Sequence, residues 1–192
     1  MKKILIINAH AASRSLSNAI VEAYGKQVEQ QGHETHYLAL GSLKFDPILR
    51  EGYGKIQELE PDLLDAQKWI LWADHIVWVF PMWWSTVPAL LKGFIDRTFL
   101  PGFAFKYHTK DPFWDKLLAG RSTDVIYTMG TPVFIQRFFM GNPVIKVLNG
   151  ILGFSGLKPM RVLRFGGIRT LTQDQVQTII DKTKAFAKSY RG

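Results

Sequence analysis

"KKILIIN", Lys2–Asn8, is an apolar, largely β-branched run of the kind a strand buried on both faces requires. The fold class turns on the segments after it. Asn18–Gln31 carries Ile20, Val21, Tyr24 and Val28 at helical spacing, and Gly32 stands where a helix stops. "HETHYLAL", His33–Leu40, then reads as a second strand. Strand, helix and strand of these lengths predict a right-handed parallel crossover.

The alternation continues outward from this unit. Ser42–Pro61 is a long polar connection, and Asp62–Trp72 is a helix with Leu63, Leu64 and Ile70 inward. His75–Phe80 is the third strand, and Pro88–Leu100 a helix with proline tolerated in its first turn. Pro101–Gly120 reads as irregular and aromatic. Thr123–Met129 and Met160–Phe165 are the fourth and fifth strands, separated by a helix over Asn142–Phe154. A last helix covers Thr172–Tyr190, where Thr172 and Gln175 fit a capping box. Five strands alternating with helices predict an α/β fold: a doubly wound parallel sheet of order 2-1-3-4-5 in one domain over residues 1–192.

Composition narrows the functional classes. Of the 192 residues 47% are apolar, enough for a substantial core and too many for a disordered segment. The absence of cysteine excludes a disulfide scaffold, a thiol nucleophile and a thiolate metal site, and points to a cytoplasmic home. The histidines show no ligand spacing, so no metal is expected. Met1-Lys2-Lys3 opens like a secretory signal, but the apolar run Ile4–Ile7 is too short for one and meets Asn8 and His10. No run approaches the roughly 18 residues of a membrane span. A net charge of +8 suits an anionic partner such as a phosphorylated cofactor. The basic residues are scattered rather than run together, which argues against nucleic acid.

In open parallel sheets the ligand lies beyond the carboxyl ends of the strands where the strand order reverses, here between strands one and three. The loop after strand one, "AHAASRSLS" (Ala9–Ser17), lacks the G-x-G-x-x-G of dinucleotide sites. It offers Ser13, Ser15 and Ser17 with His10 and Arg14 directly before a helix N-terminus, a donor-rich place for phosphate. Ser17 can also be an ordinary N-cap, and His10 a histidine that hydrogen-bonds nearby backbone. The loop after strand three, "PMWWST" (Pro81–Thr86), sets two tryptophans and a methionine where a connection is normally polar. They either pack on a neighbouring helix or form a flat wall for a planar ligand. After strand four, "TMGTP" (Thr128–Pro132) borders the same crevice, with Gly130 permitting close backbone approach. Gly166-Gly167 after strand five reads as a turn. "GFSGL" (Gly153–Leu157) breaks the hydrolase pattern G-x-S-x-G at Leu157.

Nearly the whole chain resembles the flavodoxin-like NAD(P)H:quinone oxidoreductase family, with its azoreductases and the ancillary oxidoreductases of potassium-efflux systems. The likeness is carried by "WADHIVWVFPMWWSTVPALLKGFIDRTFLPGFAF" (Trp72–Phe105), whose P-x-x-W, P-A-x-L-K-G-x-x-D-R and G-F-A blocks are specific. "NAH" (Asn8–His10), "SLSNA" (Ser15–Ala19) and "TMGTP" add to it.

The resemblance implies an NAD(P)H oxidoreductase that passes two electrons through FMN, with FAD as the alternative, to a quinone or similar planar acceptor. It implies that His10, Ser15, Leu16 and Ser17 hold the flavin phosphate and ribityl chain. Pro81, Met82, Trp83 and Trp84 would lie along the isoalloxazine ring, with Thr128, Met129, Gly130 and Thr131 on its other side. Phe103 and Phe105 would sit at the nicotinamide or substrate pocket, with contributions from a second subunit. A homodimer also suits the surplus of aromatic residues. The family's alternative role is a regulatory flavoprotein docked on a membrane ion-efflux system. An electron-carrier flavodoxin fits less well, because such carriers are usually acidic. One departure concerns the third loop. Many relatives carry a glycine pair there, followed by a tyrosine and a histidine of a charge relay. Here Gly130 is followed by Thr131-Pro132, and Val133–Gly141 holds neither residue. Tyr107 and His108 are the remaining candidates for a proton relay.

Overall fold

In the computed structural model, which describes residues 1–190, the apolar runs form the centre of one sheet. In chain order the elements are β1 (Lys3–Asn8), α1 (Leu16–Gln30), β2 (Glu34–Ala39), α2 (Pro61–Trp72), β3 (His75–Pro81), α3 (Ala89–Thr98), β4 (Phe105–Tyr107), β5 (Trp114–Lys116), β6 (Ser122–Thr128), α4 (Val133–Phe138), α5 (Pro143–Ser155), β7 (Met160–Phe165) and α6 (Gln173–Lys188). A five-stranded sheet runs in the order β2-β1-β3-β6-β7 with every pairing parallel. This is the doubly wound order that the strand–helix alternation predicts.

The pleat explains why β1 and β3 read as unbroken apolar runs, since both of their faces are covered. Ile4, Ile6, Val77 and Val79 belong to the apolar layer that includes Ile20, Tyr24 and Val28 of α1 and Ile179 of α6. Leu5, Ile7, Ile76, Trp78 and Phe80 belong to the opposite layer, with Leu63 of α2, Leu91 and Phe94 of α3, and Leu148 of α5. At α6 the Thr172 side chain accepts from the Gln175 N–H at 3.3 Å, and the Gln175 side chain accepts from the Thr172 N–H at 2.9 Å. Among the described residues no helix is long and apolar enough to cross a membrane.

Three expectations need correction. Leu64 is exposed rather than inward, because the inward stripe of α2 is Leu63, Ala66 and Ile70. Pro101–Gly120 is not wholly irregular: β4 and β5 pair as an antiparallel hairpin. Strands of three residues are too short to show a period, and their support is tertiary. The Trp114 ring stacks on Phe154 of α5 at 4.2 Å, and its indole N–H donates to the Phe154 carbonyl at 2.9 Å. The third missed element is α4, a short helix directly after the TMGTP loop.

The long connection between β2 and α2 is fastened to α3 by two residues of the K-G-x-x-D-R block. A Cβ on Gly93 would lie 2.6 Å from the Pro47 carbonyl oxygen, so only glycine lets the loop settle there. The buried Arg97 guanidinium donates to the carbonyls of Asp46 and Glu58 and to the Glu60 carboxylate at 2.9 Å. That part of the family-like motif is therefore architectural.

At the N-terminal end of the sheet, Asp124 of β6 is fully buried. It accepts from the Tyr24 hydroxyl at 2.7 Å and from Arg161 Nε at 2.7 Å, while His75 lies 3.5 Å away. Burial alone would raise its pKa. The bonds from His75 and Arg161 overcome that and hold it below the ordinary carboxylate value.

Candidate functional site

The loops at the other end of the sheet are where sequence and topology both point. The chain leaves β3 at Pro81, and the Met82 N–H donates to the Thr128 carbonyl at 2.7 Å, which ties the second loop to the third. Trp83 and Thr86 then exchange backbone hydrogen bonds at 3.1 and 3.0 Å. The turn they close has Trp84 and Ser85 in the left-handed region, at φ 49° and 61°. Two positive-φ central residues are the signature of a type I′ turn, where asparagine and glycine are usual. A non-glycine residue there is strained by roughly 1–2 kcal/mol. Nor does the core compensate, because Trp84 is 98% exposed. Trp83 is half exposed and meets the His10 ring edge-on at 5.9 Å. Packing on a neighbouring helix is thus not what places these side chains, and strain of this kind concentrates at functional sites.

Facing this turn is the third loop. Thr128 and Met129 are buried, and the Met129 N–H donates to the Phe165 carbonyl of β7 at 2.8 Å. The loop after β7 supports it from behind. A Cβ on Gly166 would come within 2.6 Å of the Thr131 carbonyl oxygen and 2.7 Å of the Val133 nitrogen. Gly166-Gly167 is therefore not merely a turn. Its successors Ile168 and Arg169 line the cleft, which sequence reasoning missed. A Cβ on Gly130 would lie 2.9 Å from Arg169 Nε, so the missing side chain there makes room for the arginine. Pro81–Ser85, Thr128–Thr131, Ile168 and Arg169 together wall a cleft of about 760 Å³.

The first loop adjoins the cleft through the contact of His10 with Trp83 and does not line it. The His10 side chain serves the local backbone: Nδ1 accepts from the Ala12 N–H at 3.0 Å. The helix cap is Ser15, not Ser17, because the Ser15 hydroxyl oxygen accepts from the Asn18 N–H. Ser17 is buried in the first turn. Among the described residues the N–H groups of Leu16 and Ser17 donate to no backbone carbonyl, and neither do those of Gly130 and Thr131. A helix start with free amides suits a phosphate, and a flat cleft edged by free amides suits a planar ring that carries negative charge. Residues of these types in this arrangement fit a flavin mononucleotide.

Four expected site residues stand apart from the cleft of a single chain. Phe103 packs on the core beside Phe99. Phe105 and Tyr107 line a separate cavity of about 270 Å³ with Phe99 and Phe154. His108 lies in the hairpin turn, with its ring nitrogens 2.8 Å from Asp111 and 3.1 Å from Asp115. Those two hydrogen bonds, that of Asp115 first, raise its pKa above the ordinary value of 6.5. The cause of the displacement is the hairpin itself, which Trp114 clamps over α5 instead of over the β3 loop.

A second constellation sits at the opposite end of the sheet from the cleft. Ser122 lies 2.7 Å from His75 Nδ1, and His75 lies near Asp124, a hydroxyl–imidazole–carboxylate order. Arg161 occupies both oxygens of that carboxylate. The N–H groups of Ser122 and Thr123 donate to the carbonyls of Asp74 and Pro159, which leaves neither for an oxyanion. This group holds the sheet end together and is not a hydrolase site.

Comparison with known proteins agrees with this fold. A family model described as "Flavodoxin-like fold" matches residues 2–189. An uncharacterized NAD(P)H oxidoreductase of Haemophilus influenzae is 28% identical over 185 residues, covering 92% of this chain and 90% of that protein. NAD(P)H dehydrogenase [quinone] 1 of Cavia porcellus is 32% identical over 139 residues, covering 60% of this chain; the chain spans 50% of that relative's length. The crystal structure of Smu.1420 from Streptococcus mutans UA159 superposes with a TM-score of 0.83 at 29% identity, covering 98% of this chain and 100% of that one. The chain belongs to the flavodoxin-like fold family and is related to its NAD(P)H:quinone oxidoreductase members.

Proposed function

We propose that the protein is an FMN-dependent NAD(P)H oxidoreductase that passes two electrons to a quinone or a similar planar acceptor. The observation that carries this reading is the cleft of about 760 Å³ between the Trp83–Trp84 turn and the Thr128–Thr131 loop. Its size falls within the range of small-molecule sites, and it lies beyond the carboxyl ends of β3, β6 and β7, beside the switch point between β1 and β3. When bound, the flavin supplies the redox chemistry, accepting a hydride from NAD(P)H and passing it to the acceptor.

The chain's own residues bind, orient and compensate charge. The Leu16 and Ser17 amides at the start of α1 would take the phosphate, with Ser15 and His10 beside them. Met82, Trp83 and Trp84 would offer the ring an apolar face, in line with the flat contacts aromatic groups favour. The amides of Gly130 and Thr131, with Arg169 next to Gly130, would stabilise negative charge on the ring's edge. We take the working unit to be a homodimer, in which the hairpin of one copy brings Phe103, Phe105 and Tyr107 towards the cleft of the other.

Absorbance of the purified protein and its oxidation of NADH and NADPH with menadione test the reading. A flavin spectrum and acceptor-dependent oxidation of one nucleotide are expected. A colourless protein that takes up no added FMN ends the proposal. A yellow protein that neither nucleotide reduces leaves the regulatory flavoprotein in its place.

A further inference from the structure

We propose that Arg169 recognises the pyrophosphate of the nicotinamide donor, so that the cleft takes a dinucleotide in preference to a bare dihydronicotinamide riboside. This rests on the oxidoreductase reading and adds the residue that sets the donor class. The backbone fixes where Arg169 stands. The Gly167 N–H donates to the Thr131 carbonyl and the Ile168 N–H to the Met129 carbonyl, each at 3.3 Å, which stitches the loop after β7 to the third loop. Arg169 follows directly, and its stem crosses Gly130. A Cβ on that glycine would lie 3.2 Å from Arg169 Cγ and 3.6 Å from Cδ, besides its clash with Nε, so a side chain there would push the stem away. With the stem seated on the glycine, the guanidinium reaches past the loop along the cleft wall.

Charge then decides what Arg169 can recognise. Among the described residues that wall the cleft it is the only charged one. It is exposed, and among the described residues no ion pair includes it; Asp174, in the first turn of α6, does not pair with it. A guanidinium keeps its charge at any ordinary pH, and its planar fork of donors matches phosphate oxygens. Trp83 and Trp84 offer flat apolar surface on the other wall, which suits any ring. The two substrates of the proposed reaction differ in what the cation can add. A quinone and a dihydronicotinamide ring are neutral, whereas the pyrophosphate shared by NADH and NADPH is anionic. A lone guanidinium therefore strengthens binding of the donor and adds little for a neutral acceptor, although both use one flat slot. In the proposed arrangement the flavin phosphate lies at the start of α1, which does not wall the cleft, and so does not compete for Arg169.

The full chain supplied with FMN, and its Arg169→Met and Arg169→Lys variants, test this in two ways. ADP-ribose carries the pyrophosphate without the nicotinamide. In calorimetric titration Arg169→Met should bind it about tenfold more weakly than wild type, and Arg169→Lys should regain part of the loss. With menadione as acceptor, the ratio of kcat/KM for NADH to that for dihydronicotinamide riboside should fall about tenfold in Arg169→Met, mainly through the KM of NADH. Any effect of the substitution on the flavin ring is common to both donors and cancels in that ratio. NADPH should behave as NADH does. The proposal is overturned if ADP-ribose does not bind or binds the variant as it binds wild type, or if both donors lose equally. It is also overturned if the loss is confined to NADPH, which would put the 2′-phosphate at Arg169, or if FMN affinity falls as far as ADP-ribose affinity. Oxidation of neither donor removes the oxidoreductase reading instead, and the ADP-ribose titration still decides whether Arg169 binds the pyrophosphate.

Discussion

The two ends of the central sheet place similar polar residues under opposite conditions. At the N-terminal end Tyr24, His75, Asp124, Arg161 and Ser122 are packed together, and each finds a partner. At the C-terminal end four backbone amides lack acceptors among the described residues, a tryptophan stands in the left-handed region, and a glycine yields its place to an arginine. The first end holds the residues a catalytic reading of the sequence would favour, and it is structural. The second holds residues of little intrinsic reactivity, and it is the candidate site. Partner satisfaction separates the two better than residue type does.

The largest effect should come from Asp124→Asn. It leaves the Arg161 charge without its buried counter-ion, and the folded state should lose about 3–5 kcal/mol in urea titration. Flavin affinity of the molecules that remain folded should not change; a parallel loss would mean that the two ends are coupled. The pH dependence has a definite sign. Because the Asp124 pKa is depressed in the folded state, its stabilisation is present above the ordinary value of 3.8 and disappears as pH falls through the depressed value. The variant should flatten that acid limb.

Trp84→Gly acts at the other end and in the other direction. Glycine relieves the left-handed strain, so the flavin-free protein should be as stable as wild type or up to about 1 kcal/mol more so. Loss of the aromatic wall should weaken FMN binding by roughly tenfold, read by fluorescence titration. Unchanged flavin affinity with a lowered melting temperature would assign the tryptophan to the fold and erase the contrast.

The smallest effect concerns His108 in the hairpin. Its imidazole, followed by NMR, should titrate with a midpoint above 6.5, and Asp115→Asn should lower that midpoint. The clamp on Asp111 and Asp115 is complete below the unfolded value and is lost as pH rises through the raised one. Turnover should not track this titration. A shared midpoint would make His108 a proton relay after all.

Much of the fold was legible in the chain. The run Ile4–Ile7 and the helical spacing of Ile20, Tyr24 and Val28 report burial directly, so the crossover could be read from them. The switch-point rule then carried Pro81–Trp84 and Thr128–Thr131 to one place without knowledge of any contact. Ile168 and Arg169 were missed although the same rule reaches them: they come after a strand's carboxyl end, but the preceding Gly166-Gly167 reads as punctuation. The positive φ of Trp84 had no signal at all, since turn chemistry predicts asparagine or glycine there. Phe103, Phe105 and His108 could not be located because the hairpin's position depends on tertiary contacts with Phe154, the stacking and hydrogen bond of Trp114 among them, between segments 40 residues apart.

Gly166 has a bearing on acceptor choice. With its hydrogen set against the Thr131 carbonyl, Gly166 backs the third loop with main chain at close contact. The opposite wall is a strained two-residue turn on which Trp84 stands almost fully exposed. Under the proposed function a thick acceptor would meet a wall backed by main chain on one side and an exposed turn on the other, and the width the cleft accepts would follow how readily that turn unwinds.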